Sequence, residues 1–222
     1  MTAWRQGATG WGVLVAVVDT GVQPDHPDLS ENVSPLSTDV VPGRNQRFDE
    51  DRHGTRVAGV LAAPYNDFGT LGVAYGATVV SIRADVGDCE NEDQDRCFRS
   101  SDLARALDYA TANGVRIVNL SVGAEERLGP AFEAALLRAV EAGLVVAAAA
   151  GNDGAGSPDW PARYAVDPRF AGAVIAVGAH DKSGVMADFS NLAGVARDAY
   201  LMAPGVAVVT DCQDTSCWAV GG

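Results

Sequence analysis

At 222 residues, 47% of them hydrophobic and 25 of them glycine, the chain is long enough to form one globular domain with a sizeable core. A formal charge of −13 with no cluster of Lys and Arg excludes phosphate-backbone binding, so nucleic acid is not an expected partner. No apolar run reaches the roughly 18 residues of a membrane span, and no charged segment leads into an apolar signal region, so Met1 reads as the start of a fragment.

In chain order, "GATGWG" (7–12) precedes a strand instead of following one, which puts its glycines on the wrong side to hold a dinucleotide. A Val-rich run predicts a buried strand over 13–18, and Asp19-Thr20-Gly21 follows it directly. An Asp-Thr-Gly in that position belongs either to an aspartic protease or to an α/β enzyme that stages chemistry at strand ends. "DRHGTRVAGVLAA" (51–63) places His53 before Gly54 at the start of a small-residue helix suited to close packing on a sheet. Further strands are predicted over 78–83, 115–121, 144–150 and 173–178. Helices are predicted over 101–114, closing on Asn-Gly, and over 129–143, with Pro130 at the start and Gly143 at the end.

This β-α-β-α-β order predicts an α/β fold, a three-layer αβα arrangement around a mostly parallel central sheet, with the site at the carboxyl ends of the strands. The aspartic-protease reading weakens accordingly, because that fold is nearly all β and needs a second Asp-Thr-Gly, which the chain lacks. Asp19 and His53 together have the parts of a charge-oriented base, in which a buried carboxylate accepts the Nδ1 proton and stabilises the imidazolium. Such a pair demands a nucleophile. His26 and His180 read as surface residues. The close pairs Cys89 with Cys97 and Cys212 with Cys217 suggest two disulfide-closed loops and an oxidising compartment, whereas neither spacing is that of a zinc site.

Eight segments in order carry a resemblance: D-T-G at 19–21 with "HPDL" after it, H-G-T-x-V-A-G at 53–59, "GVA" at 72–74, "NLSVG" at 119–123, "AAGNDG" at 149–154, "VIAVGA" at 174–179, "FSN" at 189–191 and "MAPG" at 202–205. The chain resembles the subtilisin-like serine proteases (subtilases), and in detail the passenger proteases of bacterial autotransporters. The resemblance implies a subtilisin-like peptidase domain over 1–222. It makes Asp19 the orienting acid, His53 the general base and Asn152 a side-chain donor to the oxyanion. Ser121, Val122 and Gly123 would be a strand that pairs with substrate and forms one wall of the S1 pocket, with Ala150 and Gly151 as the other. Walls of Ser, Val, Ala and Gly suggest an uncharged P1 side chain. Also implied are a polypeptide substrate, a monomeric, secreted or cell-surface protein, and no required cofactor; structural calcium is known in the family, but no metal ligands are identifiable.

The sequence departs from the family in two places. Arg56 stands where the family usually carries a second His. The nucleophile motif G-T-S-x-A-x-P should follow a strand-loop-strand after "APG", yet "VAVVTDCQDTSCWAVGG" (206–222) spends its length on that hairpin. The expectation is a domain incomplete at its C-terminus and inactive as given, with Ser216 an unsuitable substitute because it lies between cysteines expected to close a loop. A non-catalytic peptide-binding pseudoprotease is the alternative. The acidic loop "ADVGDCENEDQDRC" (84–97) is either a solvated excursion or, through Asp88, Glu90, Glu92, Asp93 and Asp95, a source of preference for Lys or Arg at P2 or P4.

Overall fold

Apolar side chains on both faces of a strand require cover on both sides, and β1 (Leu14–Asp19) is such a strand, buried along nearly its whole length. The computed structural model describes residues 2–47, 52–87, 97–213 and 216–222. Within them β1 lies in a seven-stranded sheet with β2 (Thr38–Asp39), β3 (Thr78–Arg83), β4 (Ile117–Leu120), β5 (Val145–Ala149), β6 (Val174–His180) and β7 (Tyr200–Pro204). The spatial order is β2-β3-β1-β4-β5-β6-β7 and every pairing is parallel. Parallel neighbours need crossovers, which the helices provide.

Period-two alternation divides the core between the two faces. Ala16 and Val18 of β1 point into one apolar cluster with Val80, Ile82, Leu103, Leu107, Phe132 and Leu136. Val15 and Val17 point into the other, with Val79, Leu29, Ala58 and Ala62. The first cluster is covered by α3 (Ser100–Ala112) and α4 (Gly129–Glu141), and the second by α2 (His53–Ala62); a short α1 (Thr2–Arg5) precedes the sheet. Beyond α3 and α4, Gly114 and Gly143 turn the chain at φ of 73° and 86°, the left-handed geometry of a helix stop.

The sequence expectation of a three-layer α/β fold with a parallel sheet matches this architecture. Two details differ. β4 stops at Leu120, so Ser121, Val122 and Gly123 run on beyond the strand; Ala124 then makes an isolated antiparallel bridge to Trp160. The last segment folds as predicted into a strand-loop-strand, β8 (Val208–Gln213) and β9 (Ser216–Val220), a separate antiparallel pair closed by a Cys212–Cys217 disulfide. Cys97 is a buried free thiol, and Cys89, its expected bridge partner, lies outside the described residues. The acidic positions 88–96 lie outside them as well, while Asp85 at the loop's base is buried and bonded to Arg83 at 2.7 Å.

Candidate active site

The carboxyl edge of the sheet collects the residues singled out by sequence. Asp19 ends β1 and is fully buried, its Oδ1 accepting from the Thr20 amide and from the Nδ1 of His53, each at 2.7 Å. A neutral imidazole that donates through Nδ1 carries its lone pair at Nε2, so Asp19 selects the tautomer in which Nε2 is the base. His53 opens α2 with 45% of its side chain exposed, which leaves the ring accessible while its acid partner is dry. The approach of α2 to β1 depends on glycine: a Cβ on Gly54 would overlap the carbonyl oxygen of Gly21 and lie 3.1 Å from the Asp19 Cβ. Thr20 fastens the same junction, its hydroxyl accepting from the Gly54 amide at 3.1 Å.

Asn152 follows β5 in an exposed turn. Its amide nitrogen lies next to the end of the β8–β9 segment, 3.2 Å from where a Cβ on Gly222 would stand. Buried Asn191 of the "FSN" triplet shapes that turn. Its Oδ1 accepts from the amides of Asp153 (3.0 Å) and Ala155 (2.8 Å), and its Nδ2 donates to Ala150 O (3.0 Å). Ser121 and Gly123 sit half-buried opposite Ala150 and Gly151, with Val122 buried between them; the Ser121 hydroxyl accepts from Asn119 at 2.9 Å. Gly123 and Gly151, one from each of these segments, both approach the Asp159 carboxylate. The segment Asp159-Trp160 ties them across the back: Asp159 N donates to Ala150 O, and Trp160 exchanges backbone bonds of 2.8 and 2.9 Å with Ala124.

Sequence reasoning missed the support behind His53. Asp211 on β8 is buried and receives Arg52 Nη2 at 2.5 Å, His26 Nε2 at 2.8 Å and Arg56 Nε at 3.6 Å. Arg52 precedes His53 at the cap of α2 and Arg56 follows it in the first turn, so one carboxylate of the β8–β9 hairpin holds the start of the helix that carries His53. His26 is not a surface residue: it is fully buried, its Nδ1 accepting from the Asp28 amide at 3.2 Å, which leaves Nε2 to donate to Asp211. Arg56 also lies over the Trp218 ring at 4.9 Å, and its carbonyl accepts from the Thr210 hydroxyl at 3.0 Å. The residue that departs from the family's second His thus has partners of its own on the hairpin. The only local hint was two arginines bracketing His53; their acceptor is 159 residues from Arg52.

A salt-bridged network backs the Asp159-Trp160 segment. Arg127 pairs with Glu133 at 2.5 Å and stacks over Trp160 and Tyr164 at 5.3 and 5.5 Å, while Arg169 bonds both Glu133 (2.8 Å) and Asp167 (2.7 Å). The Arg169 side chain, helped by its backbone amide, holds the Asp167 carboxyl down at about 2; Arg127 and then Arg169 hold Glu133 below the usual range. Burial, reinforced by nearby Glu133, pushes the Tyr164 phenol up to about 12. Among the described residues no group of three or more His, Cys, Asp or Glu is placed to hold a metal, and no helix is long and apolar enough to cross a membrane.

A parallel sheet with helices on both faces and an Asp–His pair at its strand ends define a subtilisin-like three-layer α/β protein. The chain belongs to the subtilase family of serine endopeptidases: the Subtilase family pattern matches residues 10–219. It is 38% identical over 206 residues to Subtilisin Savinase of Lederbergia lenta, covering 93% of this chain and 68% of the relative. The alkaline protease of Alkalihalobacillus alcalophilus is also 38% identical, and this chain spans 48% of it. Subtilisin E of Bacillus subtilis (strain 168) is 38% identical over 211 residues, 91% of this chain and 49% of the relative. The solved structure of the prenylagaramide maturation protease PagA superposes with a TM-score of 0.76 at 26% identity, over 100% of this chain and 73% of that one.

Proposed function

We propose that this protein is a serine endopeptidase that cleaves polypeptides through an acyl-enzyme, with Asp19 as orienting acid, His53 as general base and Asn152 as an oxyanion donor. The observation that supports this best is the 2.7 Å Asp19–His53 bond, which joins a dry carboxylate to a half-exposed ring. In this reading His53 Nε2 takes the proton of a serine hydroxyl as the oxygen attacks the scissile carbonyl. Asp19 then stabilises the imidazolium, and Asn152 Nδ2 donates to the oxygen on which negative charge develops. The imidazolium gives its proton to the leaving amine, and water releases the acyl group by the same route in reverse.

The segment at Gly222 runs beside the Asn152 amide, which supports a nucleophilic serine of the family's G-T-S motif in that neighbourhood. Ser216 is a poor candidate: its hydroxyl is bonded to Gln213 O within the disulfide-closed hairpin. An aspartic-protease use of Asp19-Thr20-Gly21 would need a second carboxylate against Asp19, and the group bonded there is His53. The Cys212–Cys217 disulfide favours an oxidising location, secreted or at a cell surface as in autotransporter passengers. The test is active-site labelling with a fluorophosphonate. Residues 1–222 should take up no label, and a chain extended through Gly-Thr-Ser should label stoichiometrically at the new serine. Labelling at Ser216, or an extended chain that stays inert while folded, would overturn the proposal, the latter in favour of a peptide-binding pseudoprotease.

A further inference from the structure

The two walls of the proposed S1 slot are Ser121, Val122 and Gly123 on one side and Ala150 and Gly151 on the other, and they suggested an uncharged occupant. What lies between them does not. Asp159 is fixed by its own amide to Ala150 O at 2.8 Å, and the next residue is bonded to Ala124 just past the opposite wall, so the backbone at Asp159 joins the two segments. Its carboxylate reaches both walls. A Cβ on Gly123 would stand 3.6 Å from Asp159 Oδ2, and a Cβ on Gly151 would overlap that same oxygen. The two positions facing this oxygen are thus the two where the walls have no side chain, and Asp159 is itself half-buried.

The guanidinium of Arg163 donates to Pro158 O at 3.0 Å and lies 5.7 Å from the Trp160 ring centre, and Arg127 pairs with Glu133. Asp159 has contacts of its own, but an ionised carboxylate offers about four acceptor positions and can take a further donor. Resting on the reading of this cleft as a protease subsite, we propose that Asp159 is the floor of S1 and a specificity-determining residue, so that the enzyme prefers peptides with Arg or Lys at P1. The aliphatic stem of such a residue would lie between the backbones of 121–123 and 150–151, and its charged end would meet the carboxylate. A cationic P1 side chain would add a charge-assisted hydrogen bond that an uncharged one cannot make, which is the source of the discrimination.

Two measurements test this, and the first needs no nucleophile. Benzamidine titrated into the protein should saturate and shift the backbone amide resonances of Gly123 and Gly151. Uncharged benzamide should bind about tenfold more weakly or less, and Asp159→Asn should remove the difference, since a half-desolvated charge pair contributes more than a fully exposed one. The second compares kcat/KM for otherwise identical peptides with Arg or citrulline at P1 in the extended enzyme; Arg should be favoured by about tenfold or more, falling to near parity in Asp159→Asn. Equal binding of the two amidine analogues, benzamidine binding that survives Asp159→Asn, or equal cleavage of the Arg and citrulline peptides by wild-type enzyme would each overturn the assignment. Benzamidine binding at the two glycines without cleavage of any peptide would support the slot and count against the catalytic reading alone. Cleavage without charge preference would do the opposite.

Discussion

In the proposed mechanism Asn152 and His53 serve the same reaction at different moments, and that difference is measurable. Asn152 stands in an exposed turn whose shape is held by Asn191, so its truncation should leave the fold intact while removing a donor used only when the oxyanion has formed. In the extended enzyme Asn152→Ala should lower kcat by about 10²–10³ with little change in KM, whereas a rise in KM alone would make it a ground-state contact. His53→Ala should cost more, because both the base and the group that Asp19 orients are lost together. Near-normal turnover in His53→Ala would remove the Asp19–His53 reading. Gly151 against Asp159 and Gly54 against Gly21 act at this scale too: each permits an approach that a methyl group would block.

The β8–β9 hairpin carries the buried carboxylate that organises the start of α2. Asp211 meets Arg52, Arg56 and His26, Gln213 offers its amide oxygen to Arg52, and Thr210 packs so close to Gly59 that a side chain there would collide with its hydroxyl. Losing the hairpin's geometry would strand these charges, and a buried carboxylate without its partners is costly. Cys212 and Cys217, five residues apart, close a short loop, for which chain-entropy reasoning gives about 2 kcal/mol of stabilisation. The prediction is that a reductant, or the Cys212→Ala/Cys217→Ala pair, lowers the thermal midpoint by several degrees and broadens the His53 ring resonances in the folded protein. An unchanged midpoint and unchanged His53 signals would mean that β8 and β9 hold their position without the bridge.

For the whole molecule, the pH range of stability is set in part by the network behind Asp159. Asp167 and Glu133 titrate lower in the folded protein than in the unfolded chain, so the stabilisation they provide is complete above about pH 4 and is lost as pH falls towards 2. Tyr164 titrates higher when folded, so its contribution is complete below about pH 10 and is lost as pH rises through about 12. Denaturant midpoints should therefore fall at both ends. Arg169→Gln should flatten the acid limb, and Tyr164→Phe should flatten the alkaline one. An acid limb identical in Arg169→Gln and wild type would show that other carboxylates govern it.

The sequence by itself determined the layered α/β frame, because Val-rich runs and amphipathic helices are local patterns and their alternation leaves few topologies. It also determined Asp19 and His53, since each stands at a strand or helix end marked by a neighbouring glycine. The turn after β5 was legible for the same reason, while the end of β4 at Leu120 was not, because 121–123 continue the apolar pattern without pairing. Only the tertiary structure decided that His26 is buried, that Arg56 belongs to a hairpin carboxylate, and that Asp159 lies between the two walls. Each of these depends on contacts between distant segments: His26 and Asp211 are 185 residues apart, and Asp159 reaches Gly123 through a loop of no regular pattern. A residue's type announces what it can do, but its partner is fixed by the packing of layers, which no local period records.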